Sequence, residues 1–185
     1  MSGQSLLHRD IKPLNILLRA CGECGEGGAR RYLAKLSDME FAKDVDDSSS
    51  GGRGGRASTV VGGTTDWHAP EVFMGEELAN TKGSDVFSLG LVYYFLLQDG
   101  DHALGQRGAR KRNLISIYNG QPASEFRANV RSAGPEAAEL IGTMLAQDAD
   151  RRPRAADALR HPLFMSLEAK VRLGGHVSGA CNCCC

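Results

Sequence analysis

The sequence predicts an α+β fold in which a short pair of strands is followed by helices. Two short apolar runs, Ile16–Leu18 and Tyr32–Leu36, are typical of strands. From Ser84 onward the pattern changes, and Val86–Leu97 is apolar on nearly all sides. A helix that is apolar all round lies buried at the centre of a domain. These observations favour a mainly helical lobe that carries one β-hairpin.

The bounds of these elements have their own signals. Residues 19–31, between the two strands, are rich in Gly and charged residues, so we expect them to form the hairpin loop. Ser84 is a suitable N-cap for the central helix, and Asp85 suits the positive end of the helix dipole. The sequence therefore predicts that this helix begins at Ser84.

Two further helices are predicted after the central one. Pro135 and Glu136 have the residue types that favour the first two positions of a helix. Four apolar residues then recur on one side and predict a buried stripe: Leu140, Ile141, Met144 and Leu145. A last short helix, at 155–160, is expected to stop before Pro162.

The composition is that of a globular protein with one domain. Of 185 residues, 42% are hydrophobic and 24% are charged. The 22 basic residues equal the 22 acidic ones, so no overall field favours nucleic acid, and we expect no nucleic-acid binding. No apolar run approaches the roughly 20 residues of a bilayer-spanning helix. We therefore predict a cytoplasmic-facing chain without a transmembrane segment.

The chain divides into one domain, at 1–173, and a tail. Within the domain, 44–58 is of low complexity, with acidic residues, serines and then Gly-Gly-Arg repeats. Such a stretch buries too little apolar surface to order itself. The tail, at 174–185, is rich in Gly and Cys and is expected to be disordered.

The six cysteines are too clustered to form a disulfide framework, since two lie in one Cys-x-x-Cys and four in the last five residues. Cys21 and Cys24 are half of a zinc site, which the tail cysteines could complete. Lipid attachment to the tail is a second alternative. A tail without function is the third, and the sequence leaves all three open.

Three polar side chains near the start have the chemistry needed to transfer phosphate. They lie in the stretch His-Arg-Asp-Ile-Lys-Pro-Leu-Asn, at 8–15. Asp10 can accept a proton from an attacking hydroxyl, and Lys12 can neutralise charge on a phosphoryl group. Asn15 offers an oxygen to Mg²⁺. The spacing resembles the catalytic loop of protein kinases, in the variant typical of serine/threonine kinases.

A second motif stands where kinases have the metal-binding Asp-Phe-Gly sequence. Asp38 follows the second predicted strand, and the resemblance implies that it chelates the Mg²⁺ that bridges the nucleotide phosphates. Met39 replaces the Phe, and we expect this flexible apolar side chain to fill the same pocket. Glu40 replaces the Gly, which adds a negative charge beside the metal and removes conformational freedom.

A third motif, Gly-Thr-Thr-Asp-Trp-His-Ala-Pro-Glu at 63–71, resembles the end of the kinase activation segment, which would then span 38–71. Glu71 needs a buried cation, and Arg152 is placed to provide it in a two-pronged ion pair. Asp85 matches the helix aspartate that holds the backbone of the catalytic loop in kinases. These last roles are structural rather than catalytic.

The chain is most similar to the inositol-requiring-enzyme family, whose members are stress sensors of the unfolded protein response with a kinase and a ribonuclease. The 63–71 stretch carries this resemblance, together with Val-Phe-Ser-Leu-Gly at 86–90 and His-Pro-Leu-Phe-Met-Ser at 161–166. It implies a protein kinase-like fold, consisting of the C-terminal lobe. It also implies ATP and Mg²⁺ as cofactors, and a parent protein anchored in the endoplasmic reticulum membrane.

The resemblance also implies a substrate, which is a Ser or Thr hydroxyl on another protein or on the chain itself, within a homodimer. Arg9 would receive an activation-loop phosphate as a charge-assisted pair. Five candidate phosphorylation sites lie in that loop: Ser48, Ser49, Ser50, Ser58 and Thr59. A serine-rich linker without modification is the alternative.

The absence of some kinase parts leaves a second hypothesis open. Only seven residues precede His8, so we expect the small lobe, with its Gly-rich loop and lysine, to be absent from the chain. Those parts position the nucleotide. In the first hypothesis, the chain is part of an active serine/threonine kinase. In the second, it is a non-catalytic kinase-like module for binding or dimerisation.

Overall fold

The computed structural model describes residues 5–23, 30–45, 65–76 and 80–165. Four strands come first in this part of the chain: β1 (Ser5–Leu7), β2 (Ile16–Glu23), β3 (Arg30–Leu36) and β4 (Lys43–Val45). Six α-helices follow them: α1 (Pro70–Met74), α2 (Lys82–Leu97), α3 (Arg107–Tyr118), α4 (Ser124–Ser132), α5 (Pro135–Met144) and α6 (Ala155–Ala158). The predicted order, strands and then helices, is confirmed.

The predicted hairpin is formed by β2 and β3, which pair antiparallel with Ile16 opposite Leu36 and Ala20 opposite Tyr32. Its loop is shorter than predicted, because 19–23 and 30–31 continue the strands. Backbone pairing across the ladder outweighs the weak strand preference of these Gly-rich and charged residues. The expectation that the whole of 19–31 forms a loop is therefore wrong.

A second strand pair joins the start of the chain to the segment that follows the Asp38 motif. In it, β1 pairs antiparallel with β4, and Leu7 lies opposite Lys43. Asp44 and Val45 belong to this pair, although composition places them at the start of the low-complexity stretch. They are ordered because β1 supplies backbone partners from a distant part of the sequence. The rest of that stretch, 46–58, and the tail lie outside the described residues.

The helix α2 is the centre of the helical lobe, as predicted. Phe87 and Leu91 on this helix are fully buried. It begins two residues before the predicted position, because Thr81 is the N-cap and Ser84 is its partner in a capping box. The Ser84 amide donates to Thr81 Oγ1 at 3.2 Å, and the Thr81 amide donates to Ser84 Oγ at 2.9 Å. Ser84 therefore lies inside the first turn.

Packing of α5 against α2 completes the core beneath the site. Pro135 is the first residue of α5, and the four apolar residues of the predicted stripe are all buried. Gly90 of α2 faces Met144 and Leu145 so closely that a Cβ there would lie 2.9 Å from Met144 Cβ. The last helix is one turn, α6, and it ends before Pro162, as expected. In the described ranges, no helix combines the length and the apolar character needed to cross a membrane.

Candidate active site

The structure brings Asp10, Lys12 and Asn15 together in one hydrogen-bonded cluster. Lys12 Nζ lies 2.7 Å from Asp10 Oδ2, and Asn15 Nδ2 donates to the same oxygen at 2.9 Å. Asn15 Nδ2 also donates to the Asp10 carbonyl at 2.9 Å. The local cause is a 3₁₀ turn at Pro13–Asn15, which begins with a proline and folds Asn15 back onto Asp10. Asp10 and Asn15 are both buried.

Asp85 of α2 holds the backbone in front of this cluster. Its Oδ2 accepts the His8 amide at 2.7 Å, and its Oδ1 accepts the Arg9 amide at 2.9 Å. Arg9 has a φ of +67°, a conformation that costs free energy for a residue with a side chain. Burial raises the pKa of Asp85, and the two backbone hydrogen bonds act against that rise. Asp85 therefore fixes an unfavourable turn that precedes Asp10.

Ser37 connects the end of β3 to the same loop. The Ser37 amide and hydroxyl both donate to the Asn15 carbonyl, at 2.9 and 3.1 Å. The Asp10 amide donates to His8 Nδ1 at 3.3 Å, so His8 carries its proton on Nε2 and donates it to the Ser37 carbonyl at 3.1 Å. Sequence reasoning missed Ser37, whose only signal is its position directly before Asp38.

Asp38 directly follows Ser37, which is hydrogen-bonded to the loop that carries Asn15. It is exposed and has a φ of +64°, so the left-handed backbone of this motif lies at Asp38 and not at Glu40. Met39 is 49% exposed. The described residues therefore form no pocket that encloses Met39, and the expectation that it fills one is wrong for this part of the chain.

The donor set at this site fits a magnesium ion that also binds phosphate oxygens. Asn15 uses its amide nitrogen toward Asp10, which leaves its Oδ1 as an acceptor. Asp38 offers an exposed carboxylate and is the next residue after Ser37, which is hydrogen-bonded to the Asn15 carbonyl. No group of three His, Cys, Asp or Glu side chains suited to a metal occurs among the described residues. Mg²⁺ does not need one, because one or two protein oxygens suffice when a substrate phosphate supplies others.

Glu71 and Arg152 form the two-pronged ion pair, at 2.6 and 2.9 Å. Arg152 Nε donates to the Ala146 carbonyl at 2.9 Å, and the other two guanidinium hydrogens donate to Gly83 and Gln147 carbonyls at 3.0 Å. All five N–H donors of Arg152 are therefore satisfied. Through this pair, the start of α1 is fixed to the loop after α5.

Three residues just before α1 have contacts that sequence reasoning did not assign. Asp66 binds Arg110 of α3 at 2.6 Å. Trp67 lies edge-on to Phe95, with ring centroids 5.5 Å apart. Burial is the main cause that lowers the pKa of His68, while the charge of Asp10 raises it and the charge of Lys12 lowers it. Their only sequence signal is the Asp-Trp-His stretch within the third motif.

Arg9 has a buried Nε without a hydrogen-bond partner among the described residues. A guanidinium with a free donor of this kind can accept an anionic group. The five candidate phosphorylation sites, Ser48, Ser49, Ser50, Ser58 and Thr59, lie outside the described residues. Cys24 and the tail cysteines also lie outside them, whereas Cys21 is exposed on β2.

Three features together are typical of a protein kinase lobe: the Asp10–Lys12–Asn15 cluster, the Asp85 contacts that hold the backbone before it, and the separate Glu71–Arg152 pair. A sequence model of the protein kinase domain family matches residues 2–164, so the chain belongs to the protein kinase family. The predicted fold class and family are confirmed.

Among kinases, the chain is similar to the serine/threonine-protein kinase/endoribonuclease IRE1b of Arabidopsis thaliana. The two are 33% identical over 167 residues, which cover 90% of this chain and 17% of that protein. The serine/threonine-protein kinase/endoribonuclease ire-1 of Caenorhabditis elegans is 30% identical over 178 residues, which cover 96% and 17%. The sensor for unfolded proteins in the ER ire1 of Schizosaccharomyces pombe is 28% identical over 182 residues, which cover 90% and 16%. The chain spans about a sixth of the length of these relatives.

Proposed function

We propose that this chain supplies the catalytic loop of a serine/threonine protein kinase, which transfers the γ-phosphoryl group of ATP to Ser or Thr hydroxyls. The observation that carries the proposal is the cluster of Asp10, Lys12 and Asn15, joined by contacts of 2.7 and 2.9 Å. Phosphoryl transfer depends mainly on position and electrostatics, and this cluster provides both.

Each residue has a role that follows from its contacts. Asp10 is the base for the attacking hydroxyl, because hydrogen bonds from Lys12 and Asn15 to Oδ2 hold its carboxylate in a fixed position. Lys12 carries the positive charge that the moving phosphoryl group needs. Asn15 and Asp38 would hold Mg²⁺, which supplies charge neutralisation at the nucleotide phosphates when it is bound.

The protein substrate is proposed from the relatives. A kinase similar to sensors for unfolded proteins would phosphorylate a second copy of itself within a homodimer, at the serines and threonine of 48–59. Arg9, whose Nε has no partner among the described residues, would then bind the phosphate that is introduced. Anchoring of a longer protein in the endoplasmic reticulum membrane is part of the same proposal.

Calorimetric titration with Mg²⁺-ATP tests the nucleotide site. We expect the chain to bind, and its Asp38→Asn variant to bind more weakly because a metal ligand is lost. Asp157→Asn, an exposed change far along the chain on α6, is the matched control. If neither the chain nor the variants bind at millimolar nucleotide, the proposal fails for this polypeptide. Equal binding by all three would remove Asp38 from the metal site.

A further inference from the structure

The start of α3 carries four basic residues within six positions. They are Arg107, Arg110, Lys111 and Arg112, and no acidic residue occurs between Asp101 and Glu125. Since the whole chain has equal numbers of basic and acidic residues, this segment concentrates positive charge at one place on the surface.

Of the four cations, Arg110 alone forms an ion pair with another described residue. Arg110 Nη1 binds Asp66 at 2.6 Å, and its Nε donates to the Gly105 carbonyl at 3.1 Å. Arg107, Lys111 and Arg112 are exposed, and none of their side chains makes an ion pair or hydrogen bond with another described residue. These three residues are called the α3 basic surface below.

Helix stability does not explain this surface. The amino end of a helix is its positive end, so cations there are unfavourable and acidic residues are favourable. The other five described α-helices each carry an acidic residue in the first turn, whereas α3 has none. Arg107, the first residue of α3, therefore opposes local stability, and Lys111 and Arg112, in the second turn, gain no stabilisation from the dipole.

The surface has room for an extended peptide. Arg107, Gly108, Lys111 and Arg112 share one side of the helix, within about 140° of arc. A Cβ added at Gly108 would meet nothing within 4 Å, so the backbone between the three cations is open. A peptide lying there would place acidic side chains within reach of the cations on both sides.

The position of the surface relates it to the substrate. The Arg110–Asp66 ion pair attaches the start of α3 to the Thr65–Trp67 turn, which directly precedes His68. That turn belongs to the 63–71 stretch, which resembles the end of the kinase activation segment. Lys111 Nζ lies 5.8 Å from the ring of Phe73 on α1, so the surface continues onto that helix.

We propose that the α3 basic surface binds an acidic peptide segment of the protein substrate. This rests on the proposed kinase function, and it adds a preference for substrates with aspartate, glutamate or phosphate groups near the acceptor hydroxyl. Charge complementarity carries the choice of partner: three unpaired cations around an open backbone attract carboxylates and phosphates. The chain itself contains such a segment, Asp-Val-Asp-Asp-Ser-Ser-Ser at 44–50.

The test is peptide binding by fluorescence anisotropy without ATP, so it is independent of catalysis. The probe is a labelled peptide of the sequence Asp-Val-Asp-Asp-Ser-Ser-Ser, and its control has Asn in place of each Asp. The full chain is compared with Arg107→Gln/Arg112→Gln, and with Arg127→Gln/Arg131→Gln, which removes two exposed arginines from α4. Far-ultraviolet circular dichroism checks that each variant is folded.

We expect the α3 variant to raise Kd for the acidic peptide about five- to tenfold, the scale of two exposed charge contacts. We expect the α4 variant to keep the Kd of the unchanged chain for the acidic peptide. The Asn peptide should bind more weakly than the acidic peptide to the unchanged chain. Equal affinity for all three proteins, or for both peptides, overturns the proposal. An oligouridylate that binds more tightly than the acidic peptide, and depends on the same arginines, would identify a nucleic-acid surface and overturn it as well.

Discussion

Arg152 and Glu71 face each other across the base of the helical lobe, with their charged groups 2.6 and 2.9 Å apart. The Arg152 side chain is fully buried, and its guanidinium lies 4.9 Å from the centre of the Phe87 ring. One cation therefore contacts the start of α1, the start of α2 and the loop after α5. This is a structural role, because neither residue touches the Asp10 cluster among the contacts of the described residues.

Replacing Arg152 by Met should lower the free energy of unfolding by about 3–5 kcal/mol, since the Glu71 carboxylate would stay buried without a cation. Urea denaturation of the chain measures this. The double variant Arg152→Met/Glu71→Met should recover much of the loss, because no unpaired charge remains.

The control for this experiment is Arg154→Gln, two residues after Arg152 in the sequence. This change breaks an exposed ion pair between Arg154 and Asp157. We expect its unfolding midpoint to match that of the unchanged chain, as is usual for surface ion pairs. A double variant no more stable than Arg152→Met would contradict the buried-charge explanation.

Asp85→Asn should loosen the backbone that precedes Asp10. Asparagine keeps one acceptor oxygen but presents an NH₂ group toward either the His8 or the Arg9 amide. Loss of that hydrogen bond should raise amide hydrogen exchange by about tenfold at whichever of His8 and Arg9 loses its acceptor. Ser88→Ala is the control, since Ser88 Oγ binds only Ser84 within the same helix. Similar exchange in both variants would show that Asp85 does not hold the turn.

The fold was predictable where the signal is local. The apolar run of α2 and the proline at the start of α5 each lie within a single segment of the sequence. The residue pattern of that segment is therefore enough to indicate each helix. By contrast, α3 and α4 begin after Gln106 and Ala123, neither of which caps its helix with a side chain. Pairing of β1 with β4 joins residues distant in sequence, and no local pattern indicates such contacts.

The site shows the same limit. Asp10, Lys12 and Asn15 lie within six positions, so their spacing alone indicates a cluster. Met39 was assigned to a pocket by analogy, but its exposure depends on how the turn after Asp38 meets the rest of the lobe. Ser37 matters because β3 ends beside Asn15, which only the three-dimensional arrangement reveals.

Gly90→Ala should destabilise the chain by about 1–3 kcal/mol, because the new methyl group would overlap Met144 Cβ at 2.9 Å and Leu145 Cδ2 at 3.1 Å. Gly142→Ala on α5 is the matched control, since its Cβ would lie 4.0 Å from Val130. That change should stabilise the helix by about 0.5–1 kcal/mol. Thermal unfolding of the two variants gives opposite shifts if the close approach of α2 and α5 is correct. Shifts of the same sign would contradict it.

His102 should make the stability of the lobe depend on pH. Burial is the main cause that lowers the pKa of His102 to about 4, with Arg110 as the next cause. The unfolded chain takes up this proton near pH 6.5, whereas the folded chain resists it until about pH 4. The contribution is therefore complete above pH 6.5, and roughly 2–4 kcal/mol is lost as the pH falls to about 4.

Urea denaturation at several pH values between 7 and 4 measures this loss, with His102→Asn as the informative variant. Asparagine retains an acceptor for the Leu104 amide, which binds His102 Nδ1 at 3.1 Å, but it cannot take up a proton. We expect its free energy of unfolding to fall less steeply with pH than that of the unchanged chain. If the free energy of unfolding changes equally with pH in the chain and in His102→Asn, then the lowered pKa of His102 does not cause the pH dependence.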